Sequence, residues 1–158
     1  MSDIEEKVEE RGGRFRPHVY ETFMNIAREF ERRSTCLRNQ FGAIIVTHDF
    51  TQIVAIGYNG AYKGGPNHCI SLQQGKCGCV HSEENCIIKF PYGMHKNTIM
   101  FVTGNPCIKC ATLIINAGID KVIYEREYTS DNFEGLKLLE KAGINVQQIN
   151  EVDDFYRS

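Results

Sequence analysis

The stretch TIMFVTGNPCIKCATLIINAGIDKVIY, residues 98–124, decides the fold. Thr98 to Val102 reads as a strand, Cys107 to Ala117 as a helix ending at Gly118, and Lys121 to Tyr124 as the next strand. A helix that crosses between two strands makes those strands parallel neighbours. Downstream, Phe133 to Ala142 reads as a helix closed by Gly143, and Asn145 to Ile149 as a last strand. Upstream, Val19, Phe23, Ile26 and Phe30 recur at helical spacing through about Arg33, with Pro17 suited to the first turn. Phe41 to Thr47 and Gln52 to Gly57 are apolar runs, and His48-Asp49-Phe50 between them predicts a hairpin. Gly57, Gly60, Gly64, Gly65 and Pro66 mark a loop, after which Ser82 to about Phe90 reads as a helix stopped by Pro91. The order α-β-β-α-β-α-β-α-β predicts an α/β fold: a five-stranded mixed sheet with helices on both faces.

The 158 residues suit one domain, with a core over about 17–150. Residues 1–16 are polar, carry Gly12-Gly13, and read either as a frayed end or as a short helix. Hydrophobic residues at 42% and charged ones at 24% describe a soluble globular chain. A net charge of −2 gives no electrostatic case for nucleic acid as a partner. No apolar run approaches the roughly 18 residues of a membrane span, and the first residues lack the basic and apolar regions of a signal peptide. Seven cysteines, an odd number, fit metal ligation in a reducing compartment better than a disulfide framework. The expected location is the cytoplasm.

Chemistry enters with a split pair of motifs, His81-Ser82-Glu83 and Pro106-Cys107-Ile108-Lys109-Cys110. One histidine and two cysteines make three zinc ligands, and a catalytic zinc keeps its fourth position for water. Glu83, two residues past the histidine, is placed to shuttle protons. This is the layout that removes the exocyclic amine of cytosine or adenine. A lone Cys-x-x-Cys is also a redox pair or half of a structural zinc site, and a lone His-x-Glu means little; the conjunction carries the signal. Both motifs open a helix, where the positive end of the helix favours thiolate at Cys107 and Cys110. Cys86, between the two motifs, reads as a small buried residue.

The chain resembles the zinc-dependent cytidine and deoxycytidylate deaminases, closest to the deoxycytidylate branch. The resemblance rests on 33–38 (RSTCLR), 41–46 (FGAIIV), 57–60 (GYNG), 81–85 (HSEEN), 103–110 (TGNPCIKC), 113–119 (LIINAGI) and 122–124 (VIY). It implies a three-layer α/β/α sandwich and zinc-dependent hydrolysis of dCMP to dUMP and ammonia, which supplies dUMP for thymidylate synthesis. Glu83 would take a proton from the zinc-activated water, deliver it to N3 of the pyrimidine, then protonate the departing amine. The residue after the zinc histidine is usually alanine in the family and is Ser82 here; the stretch from Gly60 to Val80 is shorter than in many relatives.

By the same resemblance, Asn59 would meet the sugar hydroxyl and Arg38 the 5′-phosphate, a task that suits a planar guanidinium. The plainer readings are a turn residue before Gly60 and a solvated surface arginine. Tyr124, Arg126 and Tyr128 follow the fourth strand, either facing substrate or serving as packing and surface groups; Tyr124 and Tyr128 are the candidates for contact. Cys36, Cys69, Cys77 and Cys79 suggest a second, structural zinc joining regions that carry one in many relatives, with His68 as an alternative ligand. The close spacing of Cys77 and Cys79 weighs against it, and reduced thiols in a loop are the alternative. The resemblance further implies a homo-oligomer, in some members a hexamer, with dCTP and dTTP as effectors alongside Mg2+. Deoxycytidine, dCTP or a nucleic-acid base are the rival substrates, and a zinc-stabilised nucleotide-binding module is the rival outside enzymes.

Overall fold

The computed structural model describes residues 2–10, 12, 16–91, 93, 96–128 and 131–151. Its elements run α1 (Asp3–Glu10), α2 (Val19–Glu31), β1 (Gly42–Thr47), β2 (Ile53–Tyr58), α3 (Ser82–Lys89), β3 (Thr98–Gly104), α4 (Ile108–Ala117), β4 (Lys121–Arg126), α5 (Glu134–Lys141) and β5 (Asn145–Gln148). The polar first residues therefore form a short helix. Strand order is β2-β1-β3-β4-β5. β1 pairs antiparallel with β2 and β3, while β3–β4 and β4–β5 are parallel. This is the mixed sheet that the crossover helices require.

Alternation along the strands divides the core into two layers. Ile44, Val46, Ile99, Phe101 and Ile123 face α2, where they meet Phe23, Met24 and Ala27. Ala43, Ile45, Met100, Val102, Val122 and Tyr124 face the other side, against Cys86, Ala111, Ile114, Leu136 and Leu139 of α3, α4 and α5. Every residue of β3 is buried, as expected for a central strand covered on both faces.

Two boundaries differ from the sequence reading in ways that shape the site. β3 runs on to Gly104 and β4 to Arg126, because the parallel ladder still pairs Gly104 with Arg126. Cys107 is the N-cap of α4 rather than its first helical residue. The hairpin register sets Gly42 beside Tyr58, and Ala43 lies beside Val102. The start of β1 and the ends of β2 and β3 thus share one edge of the sheet. In open α/β sheets that carboxyl edge is where ligands bind.

Candidate active site

His81 is the N-cap of α3 and Cys107 the N-cap of α4, so two helix starts bring their first residues together. His81 Nδ1 lies 3.6 Å from Cys107 Sγ and 3.4 Å from Cys110 Sγ. Among the described residues these three form a group whose ligand atoms all lie within 4.8 Å of one another. A tetrahedral zinc, with Zn–S of about 2.3 Å and Zn–N of about 2.1 Å, holds nitrogen and sulfur ligands about 3.6 Å apart. The donor set and its spacing fit zinc with one coordination position left over.

Their proton chemistry agrees. The Cys110 thiol, hydrogen-bonded to Cys107, brings the Cys107 thiol down to about 4, with His81 adding to the effect. Cys110 is pushed up, first by that same bond and then by burial. The bond to Cys107 raises His81 to about 9 against the pull of burial. A metal ion bound by the same atoms replaces the protons the ligands share.

The histidine loop is locked by its own helix. Glu84 accepts from the His81 N–H at 2.8 Å, completing a capping box, and its other oxygen pairs with Lys109 Nζ at 2.6 Å. Since Lys109 lies between the two cysteines, this carboxylate ties α3 to α4 beside the ligands. Glu83 turns the other way and is 5% exposed. Burial raises its carboxyl to about 7, opposed by the charge of His81 and by the Ser82 hydroxyl, which donates to Glu83 Oε2 at 3.0 Å. Serine at this position therefore leaves the ligands alone and touches the carboxylate beside them.

His81, Glu83 and Cys107 line a cavity of about 380 Å3 at the carboxyl edge of the sheet. Arg38, Asn39, Phe41 and Asn59 form another part of its wall, and Gln74, Asn105 and Tyr128 close it. Sequence reasoning identified Arg38, Asn59 and Tyr128, and the fold brings all three to the cavity. Asn59 Oδ1 accepts from the Phe41 N–H at 2.8 Å and its Nδ2 donates to the Asn39 carbonyl at 2.8 Å. It staples the loop before β1 and leaves one amide N–H uncommitted by these two bonds. Arg38 Nη2 donates to Cys77 Sγ at 3.6 Å. Tyr124 is placed elsewhere: it is buried in the core beneath α4 and α5 and is not part of the cavity wall.

Phe41, Asn105 and Lys109 were missed as wall residues. The Phe41 ring lies 5.6 Å from Tyr128 and 5.7 Å from the Arg126 guanidinium, and it fills the space a Cβ on Gly104 would need. Asn105 Nδ2 donates to the Tyr128 carbonyl at 2.9 Å, and its Oδ1 accepts from the Tyr128 N–H, which fixes that aromatic wall. The glycine before Asn105-Pro106-Cys107 was the available signal, since Gly104 in a buried strand marks a close approach.

Cys36, Cys77 and Cys79 line the same cavity. An antiparallel bridge between Gly60 and Val80 closes the intervening loop and returns Cys77 and Cys79 to the sheet edge. Burial raises the Cys79 thiol to about 11, reinforced by its hydrogen bond with Cys77 and the charges of Cys36 and Cys69. Cys69 Sγ donates to the Ser71 carbonyl at 3.2 Å, and His68 is exposed.

Residues 17–126 match the family model for the cytidine and deoxycytidylate deaminase zinc-binding region. Deoxycytidylate deaminase of Saccharomyces cerevisiae is 28% identical over 162 residues, covering 96% of this chain and 51% of the yeast protein. That of Schizosaccharomyces pombe is 31% identical, covering 85% of this chain and 45% of its own length. The chain thus spans about half the length of these two relatives. The dCMP deaminase of cyanophage S-TIM5, solved with dCMP and dUMP, superposes with a TM-score of 0.74 at 30% identity, over 86% of this chain and 100% of that one. With the match running from the start of α2 to the end of β4 and taking in both zinc motifs, this chain belongs to the cytidine and deoxycytidylate deaminase zinc-binding family.

Proposed function

We propose that this chain hydrolyses the 4-amino group of dCMP to give dUMP and ammonia. The observation that carries this reading is the buried Glu83 carboxyl in one cavity with His81 and Cys107 of the ligand group and with Arg38 on the wall. Zinc, which His81, Cys107 and Cys110 would hold, would supply a water acidified toward neutrality. Glu83 would take one proton of that water and deliver it to N3 of the pyrimidine as the water oxygen bonds to C4. It would then take the second proton from that C4 hydroxyl and pass it to the amine as the C4–N bond breaks. The Ser82 hydroxyl holds one oxygen of Glu83, which orients the carboxyl toward the cavity. Phe41 and Tyr128 give the nucleoside an apolar wall. The remaining amide N–H of Asn59 serves the sugar hydroxyl, and Arg38 serves the 5′-phosphate.

The second zinc belongs to the same proposal. Cys36, Cys77 and Cys79 line one stretch of the cavity wall beside the loop closed by Gly60 and Val80, although among the described residues these cysteines and Cys69 are not drawn together as closely as His81, Cys107 and Cys110. A four-thiolate site there would hold Cys77 against Arg38 and fix a loop with little core of its own. Control by dCTP and dTTP with Mg2+, and assembly of copies into a homo-oligomer, rest on the resemblance alone.

The test is turnover of dCMP, deoxycytidine, CMP and dCTP in parallel, with and without dCTP–Mg2+ as effector, by the wild type and by Arg38→Ala. The expected result is preference for dCMP, with Arg38→Ala raising KM for dCMP about tenfold or more, as loss of a charge-assisted contact implies. Equal use of deoxycytidine by both proteins would sink the phosphate role of Arg38. No turnover by zinc-loaded protein under any condition would sink the reaction itself.

A further inference from the structure

Cys107 occupies the N-cap of α4, but its side chain makes no capping hydrogen bond. Its sulfur is directed to the ligand group with His81 and Cys110 instead. A helix whose cap residue is diverted in this way needs partners for its first-turn amides from elsewhere. Asp131, in the segment ahead of α5, provides one. Its Oδ2 accepts from the Ile108 N–H at 2.9 Å and from the Gly135 N–H at 3.2 Å, so one oxygen joins the first turns of α4 and α5. The other oxygen, Oδ1, is buried without a hydrogen-bond partner among the described residues. A buried acceptor left unpaired costs free energy, so the bonds made by Oδ2 are what hold the side chain in this position.

Gly135 shows independently how closely α5 presses on the same segment. A Cβ there would lie 2.7 Å from the carbonyl carbon of Cys107, 2.8 Å from its oxygen, and nearer still to the Pro106 carbonyl oxygen. Only a hydrogen fits between α5 and the Pro106–Cys107 backbone.

We propose that Asp131 and Gly135 form a clamp on the Pro106–Cys107 backbone that holds the Cys107 sulfur in ligand geometry. Asp131 is thus a positioning residue for the metal centre, acting through the amide of Ile108. It complements the inner tie between Glu84 and Lys109, which joins the two half-sites on the cavity side. Groups that orient metal ligands from behind typically change metal affinity by about 10–100-fold when removed. The clamp rests on zinc at His81, Cys107 and Cys110 but not on the choice of dCMP as substrate.

The test is the competition of purified, zinc-loaded protein with a chromogenic chelator, reading zinc affinity and release rate. Wild type, Asp131→Ala, Asp131→Asn and Gly135→Ala are compared, with unfolding of the zinc-stripped forms measured alongside. The clamp predicts that Asp131→Ala and Gly135→Ala weaken zinc binding by about tenfold or more. Asp131→Asn, whose amide oxygen accepts the same two N–H groups, stays within about threefold of wild type. A purely structural role would lower the stability of the zinc-stripped and loaded forms equally and leave zinc affinity within about twofold, which would overturn the proposal. Release from Asp131→Asn as fast as from Asp131→Ala would also overturn it, by removing the hydrogen bonds as the cause. If Asp131→Ala does not fold, Asp131→Ser, too short to span both amides, takes its place with the same expectation. A wild type that binds no zinc refutes the zinc reading together with the clamp. Zinc-bound wild type that leaves dCMP untouched refutes the dCMP reading alone.

Discussion

Asn59 and Ser82 show how a side chain can be legible in kind while its hydrogen-bond partners are not. Asn59 reaches the cavity as expected, yet two of its hydrogen bonds serve the backbone of Asn39 and Phe41. Ser82, where the family usually has alanine, donates its buried hydroxyl to the Glu83 carboxylate. Neither partnership follows from local sequence, since the first spans about twenty positions and the second depends on which way α3 turns its first residues. Tyr124 and Tyr128 separate for a reason of parity. Tyr124 lies on the same face of β4 as Val122 and enters the core, whereas Tyr128 lies beyond the strand where Asn105 holds its backbone. Residue-scale electrostatics give a pH prediction at Asp49 in the β1–β2 turn. The Thr47 hydroxyl, with the hydroxyl and N–H of Thr51, donates to its carboxylate and lowers it from 3.8 to about 2. Because the folded value is the lower one, the contribution to stability is complete above about pH 4 and is lost as pH falls through about 2. Asp49→Asn should flatten that part of the acid-unfolding curve and leave stability near pH 7 little dependent on pH; an unchanged slope between pH 4 and 2 would contradict the assignment.

At the scale of elements, helices and strands were legible because apolar spacing switches cleanly between the two periods. Val19, Phe23, Ile26 and Phe30 mark the inward face of α2, and the run in β3 marks a strand buried on both sides. The ends were less legible, because they depend on partners. β3 extends only because β4 pairs with it as far as Arg126, and the cap of α4 comes from Asp131, 23 positions downstream of Ile108. Close contacts between elements were hidden for the same reason. Gly57 in β2 reads locally as a strand end, yet a Cβ there would sit 2.6 Å from the Cys86 N and closer to the Ser82 carbonyl oxygen. That contact sets the distance from β2 to the helix that carries His81 and Glu83. Gly57→Ala should therefore lower the unfolding free energy by about 1–3 kcal/mol in urea titrations and reduce activity through displacement of α3. A variant as stable and active as wild type would show that the strand and helix can part at no cost.

For the molecule as a whole, chain order was enough for a mixed five-stranded sheet, whereas the placement of β1 between β2 and β3 emerged only in the structure. Crossover helices dictate the parallel half, the hairpin dictates the antiparallel half, and together they bring two loops and two helix starts to one edge. No helix among the described residues is long and apolar enough to cross a membrane. Least legible was the loop from Gly60 to Val80, with many glycines and no periodicity. It is closed by an antiparallel bridge at its base, between Gly60 and Val80. If those cysteines hold a structural metal, purified protein should carry two zinc ions per chain by elemental analysis, and Cys79→Ser should carry one. A single zinc in the wild type would remove the second site and leave the first untouched.

The central claim is that His81, Cys107 and Cys110 hold the metal while Glu83 moves the protons. It is tested most directly by Glu83→Gln, with bound zinc and the rate of dUMP formation from dCMP measured on the same preparation. The account predicts zinc at the wild-type level and a rate reduced by about a hundredfold to ten-thousandfold, the range of general acid–base catalysis. Wild-type turnover by zinc-loaded Glu83→Gln would contradict it.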